Sequence, residues 1–185
     1  VIANLYASEE YYNQSNFYLK ISAFLNKKFK QNKALLAENY FYQEQYELAK
    51  KVYKSVAKVG EVYSWHSAKN ISSIYLLFDK KKESISNLEK TFNFLKNPDY
   101  RHYYEMANFY KDNKLYKDSI KFYSLSLKNL KEDHPLVPKI FERRGSSYER
   151  IGEWESAEKD LKMSLHILPD QAYVLNYLAY SWVEK

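Results

Sequence analysis

The chain has 185 residues, 45% hydrophobic and 28% charged, which excludes a disordered segment and leaves enough apolar side chain for a buried core. Three Gly, four Pro and no Cys remove most of the punctuation that short strands need, and exclude disulfides and thiolate metal sites. The formal charge of +6 keeps anionic partners, nucleic acid included, in view.

In chain order, one ladder of residues recurs. It reads Ala3, Tyr6, Ser15, Leu19, Ser22; then Ala37, Tyr40, Ala49, Tyr53, Val56; then Ser72, Tyr75, Ser84, Leu88, Thr91; then Ala107, Tyr110, Ser119, Tyr123, Ser126; then Gly145, Tyr148, Ala157, Leu161, Ser164. The offsets from each opening residue are 3, 12, 16 and 19, and the opening residues are 34, 35, 35 and 38 residues apart. A sixth copy opens at Ala179, 34 residues on, with Trp182 after it. The copies span roughly 1–29, 30–64, 65–99, 100–137 and 138–171, with a partial copy at 172–185, read together as a single array. The longer step falls where LKNLKEDHPLVPK joins the fourth copy to the fifth, and His134-Pro135 and Pro138 there predict a turn and then a helix start.

The residue types predict two antiparallel helices per copy. Residues three apart share a helical face, so the opening small residue and its Tyr line one helix, and the later small residue, Leu or Tyr, and small residue line the second. Small side chains let two helix axes approach to about 8–10 Å. A single helical hairpin leaves an apolar face uncovered, so each copy stacks on the next. The chain is therefore predicted to be all-α, with about eleven helices, the last near 171–184. That helix carries Leu175, Leu178, Ala179 and Trp182 on a face that a following helix would cover, so both ends of the sequence read as interior cuts of a longer array or as surfaces for self-association.

This ladder resembles the tetratricopeptide repeat (TPR) family, in its bacterial type of array. The fifth copy carries the resemblance most fully, through Gly145, Tyr148, Gly152 at the hairpin turn, Ala157, Leu161 and Pro169. The resemblance implies a right-handed superhelical solenoid of about five TPR units plus a terminal helix. It also implies a non-catalytic scaffold for protein–protein interaction that binds a peptide in the groove lined by the first helices.

The sequence offers little chemistry. Gly60, Gly145 and Gly152 supply neither a GxxxxGK nor a GxGxxG loop. His66, His102, His134 and His166 show no metal-site spacing, although His66 and His102 hold nearly equivalent places in successive copies. No catalytic residue, metal or cofactor is expected. The longest mostly apolar stretch, AYVLNYLAYSWV at 172–183, is too short for a span of about 20 residues. The chain opens on Val1 without a basic and apolar leader, and nothing in it fixes a compartment.

The resemblance implies which side chains face the groove. They include Gln31, Ala34, Glu38, Phe41 and Tyr42 in the second copy, His66, Lys69, Asn70 and Ser73 in the third, Arg101, Tyr104, Glu105 and Asn108 in the fourth, and Lys139, Glu142, Arg143, Ser146 and Glu149 in the fifth. Of these, Lys69, Asn70, Ser73, Arg101, Tyr104, Asn108, Lys139 and Arg143 form the candidate peptide site, with Tyr177 and Tyr180 as further groove aromatics. Some family members grip a C-terminal carboxylate with a Lys, Asn, Asn, Lys, Arg set. Lys69, Lys139 and Arg143 match it, while Ser73 and Glu105 stand where Asn is required, so an acidic segment is the better expectation than that specific tail. Nucleic acid is the weaker reading because the lysines are scattered, and the run DKKKES at 79–84 falls at a hairpin turn.

Overall fold

The computed structural model describes residues 1–26 and 32–183, with side chains up to residue 179. Gln31, Tyr180 and Trp182, all expected on functional or packing faces, lie outside the described side chains. Eleven α-helices are described: α1 (Ile2–Ser8), α2 (Tyr12–Leu25), α3 (Asn32–Tyr42), α4 (Tyr46–Val56), α5 (Glu61–Leu77), α6 (Lys81–Asn93), α7 (Tyr100–Asp112), α8 (Tyr116–Lys128), α9 (Val137–Glu149), α10 (Trp154–Ile167) and α11 (Ala172–Val183), with a short 3-10 turn at Ala57–Val59. No strand occurs among the described residues. The expected all-α architecture of paired helices is present.

The five hairpin turns share one geometry. At offset 7 from the opening residue stand Glu10, Glu44, Asp79, Lys114 and Gly152, all with left-handed backbone at φ between 56° and 79°. The next amide donates back to the carbonyl of the ladder Tyr, as in Tyr11 to Tyr6, Gln45 to Tyr40, Lys80 to Tyr75, Leu115 to Tyr110 and Glu153 to Tyr148, at 2.8–3.0 Å. This six-to-one bond closes each first helix and sends the chain back antiparallel. Sequence reasoning placed the turn at Gly152 and, through the DKKKES run, at Asp79; the other three copies use residues that carry no turn signature there.

The ladder's small residues sit at the helix crossings. Ala37, Ala49, Ser72, Ser84, Ala107, Ser119 and Ala157 are buried. Gly145 packs so closely on α10 that a Cβ there would lie 3.0 Å from Leu161 Cγ, 3.1 Å from the Ala157 carbonyl oxygen and 3.2 Å from Asp160 Cβ. Serine replaces alanine without stranding its hydroxyl: Ser72 Oγ donates to Ser84 O at 3.0 Å and Ser84 Oγ donates to Ser72 O at 2.8 Å. Ser126 and Ser164 donate in the same way to Tyr100 O and Pro138 O. A crossing lined by hydroxyls thus keeps the close approach of one lined by methyls and satisfies its polar atoms.

The chain divides into two compact units, Val1–Lys96 and Asn97–Lys185. In the first, Ala37, Ala49, Tyr53, Ile71 and Ile74 form a core with Tyr40, Phe41 and Tyr75 packed against it. In the second, Ala107, Tyr123 and Ile140 form one cluster, and Leu161, Val174 and Leu178 join α10 to α11.

Candidate binding faces of the two units

In the second unit, residues on the exposed sides of the first helices α7 and α9 meet. Tyr104, Asn108 and Lys111 follow one another at helical spacing on α7, as do Lys139, Glu142, Arg143 and Ser146 on α9. Arg143 spans the gap: its Nη1 donates to Asn108 Oδ1 at 2.9 Å, and Tyr123 Oη, reaching up from α8, donates to the same oxygen at 2.7 Å. The rings of Tyr104 and Tyr123 lie 6.1 Å apart beside this junction. Burial works against the charge on Arg143, but Tyr104 and Tyr123 beside it hold its pKa above the ordinary guanidinium value. Its Nε is buried with no hydrogen-bond partner. Burial also pushes the Lys111 ammonium below its usual value, against the pull of Glu142.

Lys139 is half-exposed and pairs with the buried Glu142 carboxylate at 2.6 Å. Together they line an open hollow of about 420 Å³ whose far wall is Gln171–Val174 at the start of α11. Tyr173, 59% exposed, offers its ring there. Arg101 lies apart from this group, its Nε donating to Asp99 Oδ2 at 2.9 Å and its guanidinium lying over the Tyr100 ring. Tyr177 is half-buried against the α10–α11 cluster.

In the first unit, Lys69, Asn70 and Ser73 share α5. Asn70 Nδ2 donates to its own helix at His66 O, 2.9 Å, and Ser73 Oγ donates to Lys69 O at 3.1 Å. His66 Nε2 faces Glu38 Oε1 of α3 at 3.1 Å, and the Tyr53 ring of α4 lies 6.0 Å from the imidazole. Tyr53 is fully buried, and its hydroxyl has no partner. His102 is engaged elsewhere, in the cap of α7 with Asp99.

The structure therefore joins Asn108 and Arg143 directly, with Tyr104 beside them against the Tyr123 ring, sets Lys139 one turn away, and places Lys69, Asn70 and Ser73 in the other unit. Sequence reasoning missed Lys111, which the spacing from Tyr104 and Asn108 already implied. Tyr53 and Tyr123, which stand in for Leu on the second helices, are core first, as their ladder position implies, but the Tyr123 hydroxyl also reaches the first-helix face. The legible signal was Tyr at a ladder position that holds Leu in the other three copies. The DKKKES run lies at the α5–α6 turn and the first turn of α6, with its lysines exposed. Among the described residues no group of three or more His, Asp or Glu side chains is placed to hold a metal ion, and no helix is long and apolar enough to cross a membrane.

No known family profile matches the sequence, and no curated protein matches it. Solved structures do match the fold. MamA superposes with a TM-score of 0.66 at 16% identity, over 93% of this chain and 91% of that one. YrrB, described as a TPR protein with an unusual peptide-binding site, gives 0.65 at 14% identity over 96% and 88%. The TPR-like repeats of a putative kinesin light chain from Podospora anserina give 0.66 at 16% identity over 90% and 91%. With its paired helices and repeating turns, the chain is thus a tetratricopeptide-repeat array in fold.

Proposed function

We propose that the chain is a non-catalytic interaction scaffold that takes a peptide or protein segment on its first-helix faces, and that the face of the second unit receives an acidic segment. The observation that carries this reading is the open hollow bounded by Lys139, with Arg143 and Lys111 beside it and Tyr173 opposite. Carboxylates there would gain charge-assisted hydrogen bonds while an aromatic ring covers the apolar part of the segment. The fold shared with YrrB supports a peptide as the class of ligand. Glu142 limits the site, because its carboxylate already neutralises part of Lys139 and disfavours a ligand that brings charge too close to α9.

Titration calorimetry with a blocked peptide of four glutamates flanked by glycines tests the reading. Lys139→Glu should weaken binding by about tenfold or more, and it should lower the melting temperature as well, since the buried Glu142 carboxylate loses the cation it pairs with; Lys139→Gln, which adds no like charge, should weaken binding with a smaller loss of stability. Arg143→Glu should weaken it too and should also lower the melting temperature, because Arg143 ties α9 to α7 through Asn108. Equal affinity for the Lys139→Glu chain and the unaltered one would remove the second-unit face from the account.

A further inference from the structure

The two units build the same junction between successive first helices, and they differ in what fills it. In the second unit the guanidinium of Arg143 occupies the junction, bonded to Asn108 Oδ1, with Tyr123 donating to the same oxygen and the Tyr104 ring alongside. Counted from the opening residue of each copy, the matching positions of the first unit are Glu38 for Asn108, Tyr53 for Tyr123, Asn70 for Arg143 and Ala34 for Tyr104.

Each replacement acts in the same direction. Asn70 is too short to cross from α5 to α3, and its amide turns back to His66 O on its own helix. Ala34 removes the ring that covers the junction in the other unit. Glu38 puts a carboxylate where the neutral Asn108 amide receives Arg143. Tyr53 keeps the place and burial of Tyr123 but loses its partner: the residue is 0% exposed and its hydroxyl bonds to nothing, whereas Tyr123 has Asn108. Burial, and after it the neighbouring Glu38 and Tyr42, raise the Tyr53 pKa. A buried hydroxyl without a partner is costly, and native structures keep few of them. The first unit thus has the seat of the second, made anionic and left without its guanidinium.

We propose that this seat accepts the guanidinium of an arginine from a bound segment, supplying in trans what Arg143 supplies in cis. The planar guanidinium has five N–H donors in a fixed fork and can give to the partly exposed Glu38 carboxylate and, once the junction opens to admit it, to a lone pair of the buried Tyr53 Oη. A lysine ammonium matches the charge but not this paired geometry. His66, 3.1 Å from Glu38 Oε1, is a positioning residue that holds one carboxylate oxygen and leaves the other for the guest. The proposal rests on the reading that the first-helix faces bind protein segments, but it concerns the other unit and the opposite charge.

The probe is the blocked tripeptide acetyl-Gly-Arg-Gly-amide, titrated into the full chain and followed by backbone amide NMR. Saturable shifts should centre on α3 near Ala34 and Glu38 and on α5 near His66 and Asn70. The neutral citrulline tripeptide should bind about tenfold more weakly or worse, and Glu38→Gln should weaken the arginine probe to a similar degree. Asn70→Arg is the second variant: it installs the internal guanidinium, so it should raise the melting temperature and abolish probe binding. Shifts spread evenly over the surface or centred on α7 and α9, equal binding of the citrulline probe, or an Asn70→Arg chain that binds like the unaltered one would each overturn the proposal. If the arginine probe fails while the glutamate peptide binds the second unit, this inference alone falls. If both fail, the first-helix reading falls with it.

Discussion

Gly145 and the turn residues decide local geometry one side chain at a time. A Cβ at 145 would press on the Ala157 carbonyl, a backbone atom that cannot move aside, so the usual gain of about 1 kcal/mol from replacing Gly by Ala inside a helix is outweighed. Gly145→Ala should destabilise the chain by about 1–3 kcal/mol, the usual range for overpacking, and thermal unfolding would show it as a lowered midpoint. Lys114 presents the opposite case. Its φ of 61° is left-handed and its side chain is exposed, so Lys114→Gly should stabilise the chain by about 0.5 kcal/mol as left-handed strain is relieved. A denaturant midpoint that falls would show that the Lys114 side chain contributes more than its backbone costs. Gly145 was legible in the sequence because its ladder partners are Ala and Ser. The turn at Lys114 was not, because no residue type marks a left-handed position there.

At the scale of the helix, α7 and α10 carry the clearest electrostatics. Asp99 caps α7, accepting from the Arg101 and His102 amides and meeting the His102 ring at 2.7 Å. Burial alone would raise its pKa, but hydrogen bonds from Arg101 and His102 pull it down to about 2 from 3.8. A carboxylate depressed in the folded state stabilises most above its unfolded pKa and loses that contribution as the pH falls. Asp99→Ala should therefore cost about 1 kcal/mol at neutral pH, the usual worth of an N-cap, and progressively less from about pH 4 down to about pH 2. A cost independent of pH over that window would assign the cap to packing instead of charge. Behind the binding face, Arg144 grips the buried Asp160 with two hydrogen bonds of 2.6 and 2.8 Å, donates to Ser124 Oγ and lies over the rings of Phe141 and Tyr148. Asp160→Asn leaves that guanidinium buried without its counter-charge and should cost about 3 kcal/mol in chemical denaturation. A loss below about 1 kcal/mol would mean that water reaches the pair. This pair was invisible in the sequence, because its members are 16 residues apart on different helices and match no repeat position.

Across the whole chain, the period of the ladder was enough to give helix number, pairing and crossing points, since each depends on residue size at fixed spacing. The binding faces were legible only in part, because they depend on how far individual side chains reach. Arg143 proved to be tied inward to Asn108, Arg101 to Asp99 and Lys139 to Glu142, so charges that looked alike in the sequence differ in what they have left to offer a partner. The contrast between Glu38 with Tyr53 and Asn108 with Tyr123 gives the two junctions unlike chemistry, a carboxylate in the first unit and a guanidinium, that of Arg143, in the second. The central claim, that the first-helix faces and not the outer second helices receive a protein segment, is tested most directly by mapping where a bound peptide shifts the backbone amides. With the glutamate peptide, the account predicts saturable shifts confined to α7, α9 and the start of α11, centred on Lys111, Lys139 and Arg143. Shifts centred on the outer side of α10, around Met163 and Ile167, would contradict it.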